Sequence, residues 1–212
     1  MYTAKRNIVA TVVILLICLN VSVRTVFAQK ASLDVEPATA IIDIDDELTV
    51  NITINDLPDP PALFSYELVL HFDKNYLEAI SAEAEPEGHF LTPTSGVPPG
   101  IFVVYPGNID NELGTVEFAV TLLAPEEGRS GSGVLCSVTF RGKAEGLALL
   151  TLEDVILADP LAQAIPEEDY DINDSEITVI PEFSAMAMML FLLAATGVIL
   201  FLRKKSLLKI KI

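Results

Sequence analysis

Phe64-Ser65-Tyr66-Glu67-Leu68-Val69-Leu70-His71-Phe72 decides the fold class. Phe64, Tyr66, Leu68, Leu70 and Phe72 take alternate positions, with Ser65, Glu67, Val69 and His71 between them. A period of two belongs to a pleated strand, whose successive side chains leave opposite faces. This stretch is therefore a strand with one face in a core and one toward water. Asp73-Lys74-Asn75 turns the chain into a second short strand at 76–82. Upstream, Leu48, Val50, Ile52 and Ile54 alternate with Thr49, Asn51 and Thr53, and residues 55–61 form a proline-rich turn. Residues 33–35 open a strand that 40–44 continue past Pro37. Downstream, a long loop over 83–100 carries Pro86, Pro93, Pro98 and Pro99, and residues 101–105 make a strand that stops at Pro106-Gly107. Val116, Phe118, Val120 and Leu122 alternate in the next strand, and 134–140, 147–152 and 176–180 complete the set, with an acidic connector over 160–174. Nine short strands without helical periodicity predict an all-β fold, a nine-strand antiparallel β-sandwich, with a closed barrel as the alternative.

The ends of the chain read differently. Lys5 and Arg6 precede an apolar run over 8–19, and Val26-Phe27-Ala28 offers small or branched residues for a cut after Ala28. That layout predicts a secretory signal peptide over 1–28, with an uncleaved signal anchor as the alternative. Cys18 follows Ile17, where a lipoprotein cut needs a small residue. At the other end, residues 183–202 carry no charge and are followed by Arg203, Lys204, Lys205, Lys209 and Lys211. Twenty apolar residues match the ~30 Å hydrocarbon core, so 181–202 is expected to include a transmembrane helix. The basic tail, 203–212, is then cytoplasmic, and the 29–180 domain extracellular on a single-pass cell-membrane protein.

Charge follows the same division. Residues 29–180 hold five Lys and Arg against 29 Asp and Glu, a net of −24. A nucleic-acid surface needs the opposite sign, whereas a basic partner or bound cations suit this one. Cys136 is the one cysteine of the domain and reads as a small buried hydrophobe.

No catalytic constellation is evident. His71 sits on the outward side of its strand, His89 sits in a loop, and neither belongs to a ligand group of three or four. The acidic runs Asp43, Asp45, Asp46, Glu47 and Glu167, Glu168, Asp169, Asp171, Asp174 suggest calcium as a cofactor, though neither has the spacing of a helical calcium loop. Asn51-Ile52-Thr53 and Asn173-Asp174-Ser175 are glycosylation acceptors by pattern.

Taken in order, several pieces resemble a cohesin module: Leu33-Asp34-Val35-Glu36-Pro37, Asp46-Glu47-Leu48-Thr49-Val50, Phe64 through Asp73, Tyr76-Leu77-Glu78-Ala79-Ile80, and Gly133 through Phe140. Asp45-Asp46-Glu47 departs from the glycine-aspartate usual before the second strand. The resemblance implies a nine-strand jelly roll that binds a calcium-loaded dockerin module through one sheet face. The related carbohydrate-binding sandwich keeps a polysaccharide ligand open. Pro181-Glu182-Phe183, the apolar stretch and Arg203-Lys204-Lys205 resemble the Pro-Glu-Phe sorting signals of archaeal surface proteins. There a membrane transpeptidase removes the apolar stretch and attaches the protein to another anchor.

Parity turns Glu67, Val69 and His71 outward from one strand, and Glu117, Ala119 and Thr121 outward from another. In cohesins the matching strands lie side by side in the docking sheet. These six residues are therefore the candidate binding face, with Tyr105 the nearest aromatic. The expected partner is a dockerin-bearing surface protein or a second copy, and the expected function is binding and scaffolding rather than catalysis.

Overall fold

The computed structural model describes residues 30–182, 189 and 192–196. Its strands are β1 (Ala31–Glu36), β2 (Thr39–Asp43), β3 (Glu47–Leu57), β4 (Ser65–Phe72), β5 (Leu77–Glu83), β6 (Ile101–Asp110), β7 (Thr115–Leu122), β8 (Gly131–Gly142), β9 (Gly146–Ala158), β10 (Tyr170–Asn173) and β11 (Ser175–Ile180). They form two sheets, one ordered β10-β1-β3-β8-β5 and the other β2-β11-β9-β4-β7-β6. The inner faces meet in one core. Leu33, Val50, Ile52, Ile54, Val138 and Phe140 come from the first sheet, and Leu68, Leu70, Val116, Phe118, Leu150 and Ile177 from the second.

The count of strands departs from nine, and the departure has a cause. The first strand run is broken at Pro37-Ala38, and a further strand, β10, precedes the last one across Asp174, so that each end of the domain contributes to both sheets. Proline has no N–H to give a ladder, which favours a break at that point. Nine runs thereby become eleven strands. The pairing is also not wholly antiparallel: β1 runs parallel to β10 and β2 parallel to β11. The first and last segments of the domain thus zip together along both sheets.

Three local readings change. The 160–174 connector contains a single 3-10 turn, Glu167–Asp169, and the strand β10, where Tyr170 is buried. Strand β9 continues past Leu152 to Ala158, and β6 continues through Pro106-Gly107 to Asp110. Gly107 makes the last continuation sterically allowed. Its φ is +110°, and a Cβ there would lie 2.4 Å from the Ala82 Cβ and 3.0 Å from the Phe118 ring. Glycine alone tolerates both the left-handed backbone and the close crossing over β5.

Tyr66 joins the two sheets through the core. It points inward from β4, and its hydroxyl donates to the Leu135 carbonyl of β8 (2.7 Å) and lies 3.2 Å from that of Ala84. Burial raises the phenol well above its ordinary pKa, so it remains a donor. Cys136 is a free, buried thiol in β8.

The expected transmembrane helix and the single-pass membrane location are overturned: among the described residues no helix is long and apolar enough to cross a membrane. Residues 189 and 192–196 are helical. A bilayer core requires about 20 consecutive helical residues. The remainder of 183–202, the signal peptide read over 1–28 and the basic tail 203–212 lie outside the described residues.

Candidate functional site

The six residues picked out by parity lie on adjacent strands. Across β4 and β7, Glu67 faces Ala119, Val69 faces Glu117, and Ser65 faces Thr121. His71 faces Thr115 at the far end. Strands β9 and β6 extend the same surface on either side. Two rows result, Ile156–Glu67–Ala119–Tyr105 and Glu153–Val69–Glu117–Asn108.

Two β-bulges give this surface its apolar content. In β9 the pairing with β4 slips between Glu67 and Val69, which leaves Asp154 at φ 49° and turns both Glu153 and Ile156 outward. In β6 the pairing with β7 slips between Val103 and Tyr105, exposing Val104 and Tyr105 together. A bulge inserts a residue and re-aims its neighbours. Phe102 is 56% exposed, Ile156 53%, Val104 49% and Tyr105 39%. Of these, Val104 and Ile156 line a shallow depression together with Ala119, Ser65, Glu67 and Thr121.

Ala119 therefore needs a correction. It points outward as expected but is only 7% exposed, because larger neighbours rise around it. Parity fixes the side of a sheet and says nothing about depth. Val69 is half-buried, and Glu67 and Glu117 are exposed. His71 Nε2 lies 3.4 Å from Glu153 Oε2.

The long loop after β5 feeds β6 and is pinned at two points. Leu91 is fully buried, and the Phe90 N–H donates to the Val134 carbonyl (2.7 Å). His89, read as a loop histidine, is only 6% exposed and packs edge-on against Tyr66, ring centroids 6.3 Å apart. Among the described residues neither ring nitrogen makes a hydrogen bond of normal geometry. Burial lowers its pKa to about 4, so the ring is neutral near pH 7. The second pin is Glu126. Its carboxylate accepts from the Thr94 N–H (2.8 Å), the Ser95 N–H (2.9 Å), the Ser95 hydroxyl and Arg129 Nη2 (2.8 Å). The Ser95 hydroxyl, followed by the Thr94 N–H, holds this carboxyl down at about pKa 2. The sequence offered no periodic signal for either contact, since both arise where loops meet.

The opposite outer face, on the five-stranded sheet, has a different chemistry. Ser32, Asp34, Asn51, Thr53, Asn55, Ser137, Thr139 and Arg141 line it. Asp34 accepts from Asn55 Nδ2 (2.7 Å) and Asn173 Nδ2 (2.6 Å). Both glycosylation acceptors read from the sequence lie here. Asn51 is half-buried in β3, and Asn173 is exposed on β10 with its amide engaged by Asp34. Pro181 and Glu182 follow β11 directly and are exposed, while Phe183 lies outside the described residues.

Among the described residues, no three His, Cys, Asp or Glu side chains converge as a metal site. The Asp43–Glu47 run spans the end of β2 and the turn into β3, where Glu47 pairs with Arg141 at 2.8 Å.

No protein-family model matches the sequence. No curated protein matches it either. Solved structures do. The seventh ScaB type I cohesin of Pseudobacteroides cellulosolvens is similar at TM-score 0.56 and 17% identity, over 74% of this chain and 96% of that one. A non-cellulosomal cohesin from the hyperthermophilic archaeon Archaeoglobus fulgidus gives 0.53 and 15%, over 75% and 97%. A chain of a type I cohesin–dockerin complex from Clostridium thermocellum gives 0.53 and 12%, over 71% and 99%. At such identities the likeness establishes the fold: this is a cohesin-like β-sandwich.

Proposed function

We propose that this protein is a cell-surface binding and scaffolding module that docks a protein partner on the outer face of β9-β4-β7-β6. The observation that carries the reading is the contrast between its two outer faces. One is lined by hydroxyl, amide and charged groups, while the other exposes Phe102, Val104, Tyr105 and Ile156 around a polar rim. Exposed apolar side chains gathered at one place mark an interaction site, and an apolar centre with a polar rim is the anatomy of a protein interface. The cohesin-like fold supports the same reading, since the Clostridium thermocellum relative is a cohesin–dockerin complex. A dockerin-like protein is accordingly the first partner to test. Calcium would then belong to that partner.

The experiment is affinity capture from native membranes and medium with the full chain, in calcium and then in chelator. Wild type is expected to retain a partner that Phe102→Asp and Val69→Lys lose. Equal capture by all three chains would rule this face out. Phe102 and Tyr105 also offer aromatic surfaces on which a sugar ring stacks. Retention on a polysaccharide column that Tyr105→Ala abolishes would replace the protein partner with a glycan.

Pro181-Glu182-Phe183 directly after the last strand supports a second inference, that the chain carries an archaeal Pro-Glu-Phe type sorting signal. C-terminal peptide mapping of native protein tests it. Recovery of peptides covering 206–212 from the mature protein excludes processing.

A further inference from the structure

We propose that the partner meets this face with lysine or arginine side chains set within an apolar patch, and that Glu67 and Glu117 receive them. The inference rests on the docking reading above and specifies its chemistry. Val69 sits at the centre of a carboxylate triangle, with Glu153 opposite it on β9, Glu117 opposite it on β7 and Glu67 two residues earlier on β4. Diagonal neighbours of this kind in a sheet lie about 7–8 Å apart, close enough for like charges to repel. No lysine or arginine on the face relieves them, since the sequences of β4, β6, β7 and β9 contain none. His71 is the one basic side chain among them, and it lies beside Glu153.

The cations of the domain are engaged elsewhere. Lys30 pairs with Asp171, Arg129 with Glu126, and Arg141 with Glu47, while Lys74 and Lys143 donate to the backbone carbonyls of Glu112 and Lys74. Glu67 and Glu117 thus have no ion-pair partner among the described residues, although they lie beside the exposed apolar side chains of Ile156 and Tyr105. A partner that covered Val69, Ala119 and Tyr105 with apolar groups alone would desolvate both carboxylates without compensation, which is costly. An acidic partner would add repulsion. A cation at the edge of an apolar contact satisfies both the burial and the charge. It also speeds encounter with a domain of net charge −24.

The test uses three synthetic amphipathic helical peptides with one shared leucine face, flanked by lysine, glutamine or glutamate. Binding to the full chain, dispersed in mild non-ionic detergent, is followed by fluorescence anisotropy at fixed ionic strength. The lysine peptide is expected to bind about five-fold more tightly than the glutamine peptide, the upper range for an exposed pair. Glu67→Gln with Glu117→Gln is expected to erase that advantage. Glu36→Gln with Glu83→Gln, remote from the face, is expected to preserve it. An advantage that survives the first double variant, or falls equally with the second, reflects diffuse charge and overturns the inference. If glutamine and lysine peptides bind alike and Phe102→Asp abolishes both, the docking face stands and the cationic partner falls. If Phe102→Asp changes nothing for any peptide, the docking face falls as well.

Discussion

The buried imidazole of His89 makes stability depend on pH in a way that one substitution removes. In the folded chain its pKa is about 4, against an ordinary 6.5. Between those values the unfolded chain binds a proton that the folded chain excludes, so stability rises with pH across this window. His89 therefore contributes no penalty above about pH 6.5, and stability is lost as pH falls from 6.5 toward 4. A difference of 2.5 pK units at 1.36 kcal/mol each sets an upper bound of about 3 kcal/mol. The geometry agrees in sign. The ring is 6% exposed and packs on Tyr66, and the Leu135 carbonyl, which already accepts from the Tyr66 hydroxyl, offsets the cost of burying a charged ring only in part. The other ionisable groups around Tyr66 are Cys136, a buried thiol, and Glu85, an exposed carboxylate. His89→Leu keeps an apolar filler of similar size and removes the titration. Urea unfolding followed by circular dichroism, at steps from pH 4 to pH 8, gives the stability of each chain. The remaining carboxylates titrate in both, so the difference between the two curves isolates residue 89. Wild type is expected to lose up to about 3 kcal/mol more than His89→Leu between pH 6.5 and pH 4. Near pH 7 the variant is expected to be no less stable, because a buried polar group without a hydrogen bond of normal geometry has been removed. Parallel curves would refute the reasoning.

Gly107→Ala is expected to lower stability by about 2–3 kcal/mol, since the new Cβ would lie 2.4 Å from that of Ala82 at a φ of +110°. An unchanged melting temperature would mean that β6 does not cross β5 there. Glu126→Gln is expected to release the 92–100 loop, read as loss of hydrogen-exchange protection at the Thr94 and Ser95 amides with β-strand protection retained. Because the Glu126 pKa is depressed to about 2, the wild-type clamp is complete above about pH 4.5 and weakens as pH falls toward 2. Asn51 and Asn173 both open on the polar outer face, so glycans there are expected to leave docking unchanged. Intact mass of native protein decides occupancy, and bare peptide masses at both positions reject it.

Alternation carried most of the fold because a period-two pattern is local and burial enforces it. Tyr66, Leu68, Leu70 and Phe72 are all buried, as are Val116, Phe118, Val120 and Leu122, and a one-residue slip would expose every one of them. What alternation does not carry is the partition between sheets. Residues 31–43 read as one interrupted run, and nothing local says that the interruption moves the chain from one sheet to the other. At the other end, 160–174 reads as an acidic connector, which conceals β10, a strand whose one buried residue is Tyr170. Bulges fail for a related reason. Beyond Leu152 the pattern Glu153-Asp154-Val155-Ile156 breaks parity, which reads as the end of a strand, whereas the strand takes up one extra residue there and continues.

The same failure hid half of the candidate face. Glu67, Val69, Glu117 and Thr121 were legible because β4 and β7 alternate without interruption, whereas Phe102, Val104 and Ile156 lie on strands whose parity is broken. Ile101-Phe102-Val103-Val104-Tyr105 is apolar at every position, and such a run is ordinarily a strand buried on both sides. Strand β6 is the outermost member of its sheet, with the core on one side only. An edge strand apolar on both faces lacks the charge and proline within its exposed run that ordinarily protect an edge from association. Pro106 enters only after Tyr105, next to the point where the chain crosses β5. The protection comes instead from the carboxylates one and two strands away, on β7 and β4. They repel a second copy carrying the same negative face and admit a partner of opposite charge. On this account the acidic balance of the domain and the apolar edge form one device: the charge selects what the apolar surface then holds.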